Sequence, residues 1–364
     1  MEPDNNVIWP ETNAIFWTTP IVMLPGMEVE VRGTYPGGRY MSVKTYEGSK
    51  IVDSLNDQQI APDAGSSNPF LDPAAPEDPA LREYSVRVRP GVAVEDGDNE
   101  LAALSGGGTS GVTFLNYRVY VSDDPADMAG GPLPEVWITM FGGRVERRLP
   151  QCPQATQSAT VPEDLDAPSR LDQVPAAEVT EGAVTPITFT RNEATHLFPN
   201  PDDAYMVGVA HFEPGHVAVV RAKAPEFPDT RGGGHVTDPQ DVRYWSMCVH
   251  MLRPPLPTAD CAGDFETTVD ADGYYTYVVS LPGDRPEGAD EAHGVTWLPW
   301  GEPRVNVALT LRNLLPAEHF DSAIQDVVET GTEQAVMGEY HPIGGVCARE
   351  VFEAGGPQAC LPGG

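Results

Sequence analysis

The residues best suited to chemistry lie in the second half of this 364-residue chain. His211 and His216 flank Phe212-Glu213-Pro214-Gly215, His235 follows a Gly-Gly-Gly run, and His250 stands just after Cys248. Imidazoles beside a tight strand connection can hold zinc or copper, with Glu213 as a further ligand. His211, His216 and His250 are therefore candidate metal ligands. A regular strand, however, turns two residues five apart to opposite faces, as His211 and His216 are. Asp270-x-Asp272-Gly273 resembles the opening of a calcium loop, but lacks the later Glu and also suits an Asp-Gly hairpin turn. Asp123, Asp124 and Asp127 form a second acidic loop. A divalent metal, calcium or zinc, is the cofactor these residues could take. No His-Glu-x-x-His, no Gly-x-Ser-x-Gly elbow and no phosphate-loop lysine occurs.

Ligand-binding candidates are cationic or aromatic. Arg243, Tyr244 and Trp245 are consecutive, and Trp297 and Arg312 follow at a distance. Guanidinium forks and indole faces suit a small molecule or a saccharide. A structural role for the same residues, pairing with internal carboxylates or filling a larger core, competes with that reading. The five cysteines add a constraint. Cys248 and Cys261 are 13 apart across a Pro-rich turn, and Cys347 and Cys360 are 13 apart across Gly355-Gly356-Pro357. Two local disulfides follow, with Cys152 left over, and they imply an oxidising compartment.

The elements that must position these groups come from a duplication. Pro25-Gly26-Met27-Glu28-Val29-Glu30-Val31-Arg32 returns 189 residues later as Pro214-Gly215-His216-Val217-Ala218-Val219-Val220-Arg221. Arg39-Tyr40-Met41-Ser42 returns as Arg243-Tyr244-Trp245-Ser246, and Gly111-Val112-Thr113-Phe114-Leu115 matches Gly294-Val295-Thr296-Trp297-Leu298. So long a period means two copies of a whole domain. Gly and Pro together supply 73 residues, and they punctuate alternating stretches as strand boundaries require. The expected fold is mainly β: two tandem related β-sandwich domains of jelly-roll type. One helix is expected near the end of the second, over residues 316–328, where Phe320, Ala323, Ile324 and Val327 share a helical face. The expected boundaries are 1–150 for the first repeat, 151–182 for a Pro/Ala/acidic linker, 183–345 for the second repeat and 346–364 for a disulfide-stapled tail.

The order Tyr244-Trp245-Ser246, Asp270-Ala271-Asp272-Gly273, Trp297-Leu298-Pro299 and Leu311-Arg312 resembles the C-terminal member of a paired domain-of-unknown-function family, twelve-fifty-four and twelve-fourteen. Arg39-Tyr40 resembles the N-terminal member more loosely. The resemblance implies tandem jelly-roll-like domains in a secreted or envelope protein and brings no established activity. Cys248 and the cysteine-stapled tail depart from that pattern.

Net charge is −32, with only three Lys beside nineteen Arg. Such a surface repels phosphate backbones, which argues against nucleic-acid partners. No run of apolar residues is long enough to span a membrane, and the first residues lack the basic and apolar regions of a secretory leader. The combined expectation is an extracellular or envelope protein that binds or scaffolds, with its ligand groove between the two β domains. A metal-dependent extracellular enzyme using the second-repeat histidines is the alternative, and self-assembly through edge strands is a third.

Overall fold

A computed structural model describes residues 6, 8–91, 99–140, 142–151, 184–192 and 198–363. Cys152 and, beyond Gln151, the expected linker lie outside these residues. The first repeat contains β1 (Ala14–Met23), β2 (Glu28–Thr34), β3 (Gly38–Glu47), β4 (Lys50–Asn56), β5 (Glu83–Arg89), β6 (Glu100–Ala102), β7 (Gly111–Ser122), β8 (Glu135–Met140) and β9 (Val145–Arg148). They form two sheets, β1-β7-β3-β4 and β6-β5-β2-β8-β9. Alternation explains the layering. Val29 and Val31 of β2, Met41 and Val43 of β3, and Leu115, Tyr117 and Val119 of β7 point into one core between the sheets.

The second repeat contains β10 (Thr185–Ile187), β11 (Phe189–Arg191), β12 (Asp203–Ala210), β13 (His216–Lys223), β14 (Val242–Met251), β15 (Thr258–Gly263), β16 (Tyr274–Ser280), β17 (Thr296–Pro299), β18 (Val307–Pro316) and β19 (Ile343–Ala348). Its sheets are β11-β12-β18-β14-β15 and β10-β19-β13-β16-β17. Apart from β11, which has no counterpart among the described residues, this is strand for strand the first sandwich again, down to the parallel pairing of β5 with β6 and of β16 with β17. Register carries the match to single residues. Ser42 faces Arg118 across β3 and β7, as Ser246 faces Arg312 across β14 and β18. One sequence match is corrected by this register. Gly294–Leu298 leads into β17, the counterpart of β6, whereas the counterpart of β7 is β18. Trp297 therefore stands where Glu100 stands, not Phe114.

The helix expected over 316–328 does not form. Pro316 ends β18, and the following chain turns through a short 3-10 segment at Ile324–Asp326. Side chains supply its hydrogen bonds: Asn313 accepts from the Ile324 N–H and Asp326 from the Ala323 N–H. Phe320, Ala323, Ile324 and Val327 are still buried in the second core, so the apolar spacing reports burial rather than helix. The helices are α1 (Glu333–Met337) and α2 (Arg349–Gly355). The two expected disulfides are present: Cys248–Cys261 joins neighbouring β14 and β15, and Cys347–Cys360 ties β19 to the segment after α2. Because β19 is a strand of the second sandwich, the expected tail begins inside the sheet.

Candidate functional site

The first place to look is between the repeats, where sequence suggests a groove. Instead, the β1-β7-β3-β4 sheet faces the β11-β12-β18-β14-β15 sheet, and the facing side chains are buried. Tyr40, Tyr120, Tyr244 and Leu314 form one apolar cluster across the boundary. Around it the two Arg-Tyr-x-Ser elements exchange ion pairs. Arg39 donates through Nη1 to Asp264 of the other repeat. Arg243 donates to Asp57 Oδ1 at 3.0 Å and to the Arg39 carbonyl at 2.8 Å. Each aspartate also accepts a backbone N–H from its own repeat: Met41 to Asp57 at 2.9 Å and Trp245 to Asp264 at 3.2 Å. The Arg39 guanidinium lies between the rings of Phe227 and Phe265, at 4.9 and 5.4 Å. Burial pushes the Asp264 carboxyl up to about 6, against the pull of Arg39. It raises Asp57 too, against Arg243.

The segments that enter the two sandwiches cross the same boundary. Before β1, Trp9 stacks on His250 at 5.2 Å, and Glu11 is held by Arg312, by Ser246 Oγ at 2.8 Å and by the Tyr244 hydroxyl at 3.2 Å. Before β12, Phe198 packs edge-on against Tyr46 at 5.0 Å. Its carbonyl accepts from Arg118 at 2.8 Å, and Asn200 accepts from Lys44. Trp9-Pro10-Glu11 and Phe198-Pro199-Asn200 sit at the same 189-residue offset as the Pro-Gly match. Even their backbones agree, with positive φ at Trp9 (55°) and Phe198 (51°), and at Val121 (46°) and Leu315 (47°). Lys44, wholly buried, reaches Ser42 and Tyr40 at 2.8 Å and lies near Asp202 at 3.8 Å. Burial pulls its ammonium well below the usual lysine range and Arg118 pulls it further, against Asp202 and Asp203.

Arg243, Tyr244 and Arg312 are thus placed together, but inside the contact between repeats and not on an open groove. Trp245 faces the second core, where it stacks on Tyr275 at 5.2 Å and donates to the Pro225 carbonyl at 3.1 Å. Trp297 is elsewhere, on the outer strand β17, donating to Ser280 Oγ at 3.0 Å under the Arg285 guanidinium. The candidate metal ligands do not converge. His216 contacts the Pro214 carbonyl, while buried His250 bonds Thr258 Oγ1 at 2.8 Å and stacks on Trp9. His211 follows the end of β12. Among the described residues, Glu11, Cys248 and Cys261 are the metal-type ligand atoms that converge, and the two sulfurs are bonded to each other. Asp270 caps its turn, accepting from the Asp272 and Tyr274 N–H groups and from Arg221. Asp124 and Asp127 likewise cap turns.

An open site lies within the first sandwich. A small cleft, with a cavity volume of about 80 Å³, runs between β1-β7-β3 and β2-β8. Trp17, Val31, Leu115, Tyr117 and Val136 make its walls, and Leu133, Pro134 and Leu149 to Gln151 its rim. Trp17 and Tyr117 stack at 5.8 Å along one wall. The chemistry offered is apolar and aromatic, with Thr19 and Gln151 as polar groups at hand. Sequence reasoning missed this cleft, and also missed Glu11, Asp57, Lys44 and Asp264. The repeat of Trp9-Pro10 as Phe198-Pro199 was the signal for the arms. For Asp57 and Asp264, the signal was an acid one strand beyond each Arg-Tyr-x-Ser.

No family model and no curated protein matches this chain. Among solved structures, an uncharacterised protein from Burkholderia cenocepacia aligns over 95% of this chain and 80% of its own, with 12% identity and a TM-score of 0.53. The VPA0106 protein from Vibrio parahaemolyticus aligns over 93% and 89%, with 14% identity and a TM-score of 0.46. The first of these supports the β-sandwich fold and carries nothing about activity.

Proposed function

We propose that this chain is a binding protein of an oxidising, extracytoplasmic space, and that its ligand enters the cleft of the first sandwich. The observation that carries the reading is the cleft itself: an apolar, partly aromatic opening, whereas the contact between the repeats is closed by hydrogen bonds and ion pairs. Water in such a space gains few hydrogen bonds, so an apolar group that displaces it binds favourably. The two disulfides support the compartment. The boundary between repeats then serves as scaffold, holding both sandwiches as one body.

The test uses 1-N-phenylnaphthylamine, an uncharged apolar fluorophore, titrated against the full chain. Saturable one-to-one fluorescence enhancement is expected, and Val136→Trp, which fills the cleft, should abolish it. Absence of saturable binding, or binding untouched by Val136→Trp in a protein that still folds by circular dichroism, overturns the reading.

A further inference from the structure

The second sandwich offers a comparison for the cleft of the first. Near the corresponding place, its interior is filled by the chain that precedes it. β10 pairs with β19, and β11 then crosses to pair with the edge of β12, Phe189 opposite Gly208 and Thr190 opposite Val207. The Phe189 ring lies so close that a Cβ on Gly208 would meet it at 2.9 Å and one on Gly344 at 3.1 Å. By register, Gly208 corresponds to Thr19, opposite Leu115 as Gly208 is opposite Leu309. Gly344 corresponds to Val136 in the same way, through Val220 and Val31. Thr19 and Val136 both line the cleft. Thr19 and Val136 carry side chains where Gly208 and Gly344 leave room for Phe189, so the cleft of the first repeat lies beside the space that Phe189 takes in the second.

Among the described residues, the edge that β11 occupies is also unpaired in the first repeat. β9 and Leu149 do in the first repeat what β10 does in the second. Beyond them, among the described residues, no strand pairs with the outer edge of β1. The Asn13 carbonyl accepts from Val121, so by alternation the backbone groups of Phe16 and Thr18 point away from β7. Their counterparts Tyr205 and Val207 face β11, and Tyr205 accepts there from the Asn192 N–H.

We infer that the first sandwich binds an extended peptide segment of another protein, which adds as a strand to β1 and seats an aromatic side chain in the cleft. This rests on the cleft being the binding site. Strand addition supplies backbone hydrogen bonds, and the pocket supplies side-chain selection. The chain's own residues 150–188 contain no Phe, Tyr or Trp, so the aromatic group comes from outside. A net charge of −32 favours a cationic segment.

The probe is a fluorescein-labelled heptapeptide with the sequence of residues 185–191, Thr-Pro-Ile-Thr-Phe-Thr-Arg, titrated against the full chain by polarisation. Saturable binding is expected. Replacing the peptide's Phe by Asp, or N-methylating the Thr that follows it, should each weaken binding at least about tenfold. Val136→Trp in the protein should do the same, and the two peptide variants test the idea even if that protein variant does not fold. Equal binding of the three peptides overturns the inference. So does no binding with a concentration-dependent dimer in light scattering, which gives the edge to a second copy. Binding seen only after residues 155–180 are replaced by a Gly-Ser chain gives it to the linker and overturns it too. If the fluorophore still binds while the peptide does not, the cleft remains a binding site and only the peptide is rejected.

Discussion

Arg39 and Arg243 each carry a charge into a space closed to water, and each finds its carboxylate in the other repeat. Desolvating an ion is costly, and the hydrogen bonds to each carboxylate offset that cost, although Arg39 Nε and Nη2 are buried without a hydrogen-bond partner. Arg243→Met would leave Asp57 with the Met41 N–H but without its countercharge. Urea denaturation should show a loss of about 3–5 kcal/mol. The double variant Arg243→Met with Asp57→Leu removes both charges and further orphans the Met41 N–H, a penalty of about 1–3 kcal/mol, while the bond to the Arg39 carbonyl is lost in both variants. It should therefore be more stable than the single variant, and the reverse order would contradict the exchange. The arginines were legible in sequence, because Arg-Tyr-x-Ser occurs twice and a shared motif points to shared scaffold. Their partners were not. Among 54 acidic residues nothing in composition singles out Asp57 or Asp264, since pairing across repeats is set by how two sheets face each other.

At the level of elements, strands were legible where alternation is strong, as in β2, β5 and β16. Short edge strands such as β6, β9, β10 and β17 were not, because pairing with a neighbour defines them more than their own pattern does. The helix expected at 316–328 failed for a related reason: apolar spacing was real, but side-chain acceptors offered its N–H groups a non-helical solution. The arm before β1 depends on its charged tip. Glu11→Ala should leave buried Arg312 with Asp203, 4.0 Å away, as its remaining carboxylate, cost up to about 3–5 kcal/mol and speed hydrogen exchange in β14 and β15. Glu11→Gln, which keeps an acceptor, should recover part of the loss. An arm that exchanges no faster in Glu11→Ala would make the contact incidental. For the cysteines, spacing sufficed. Replacing Cys347 and Cys360 by Ala opens a loop with 13-residue separation and should cost roughly 3 kcal/mol in urea unfolding.

For the whole molecule, duplication was legible and its consequence was misread. Two domains suggested a groove between them, since ligand sites favour domain interfaces. Two copies of one fold related by a pseudo-two-fold, however, present like surfaces to each other, and like surfaces can be self-complementary. Here they close, and asymmetry appears instead inside the sandwiches, where Phe189 fills space in the second and the cleft beside the equivalent place in the first stays open. A closed boundary that shares its charges also couples the halves in stability. Lys44 gives that coupling a pH signature. Its folded-state pKa is lowered from 10.5, chiefly by burial. Between the folded and unfolded values the unfolded chain binds more protons, so stability rises with pH through that window. The raised carboxyl of Asp264 acts at lower pH: its contribution falls as pH climbs from 3.8 to about 6 and is constant above. Buried tyrosines such as Tyr40 and Tyr120, raised above 10.0, act only at higher pH. Burial also lowers Arg312, to about 9, so among these groups Lys44 acts most nearly alone in the interval from about pH 8 to 9. Calorimetry across that interval should show one transition for the whole chain with a rising midpoint. Lys44→Met should flatten the rise, because it removes the titrating group along with its own contacts to Asn200, Tyr40 and Asp202. Parallel slopes in the two proteins would assign the pH dependence to another group.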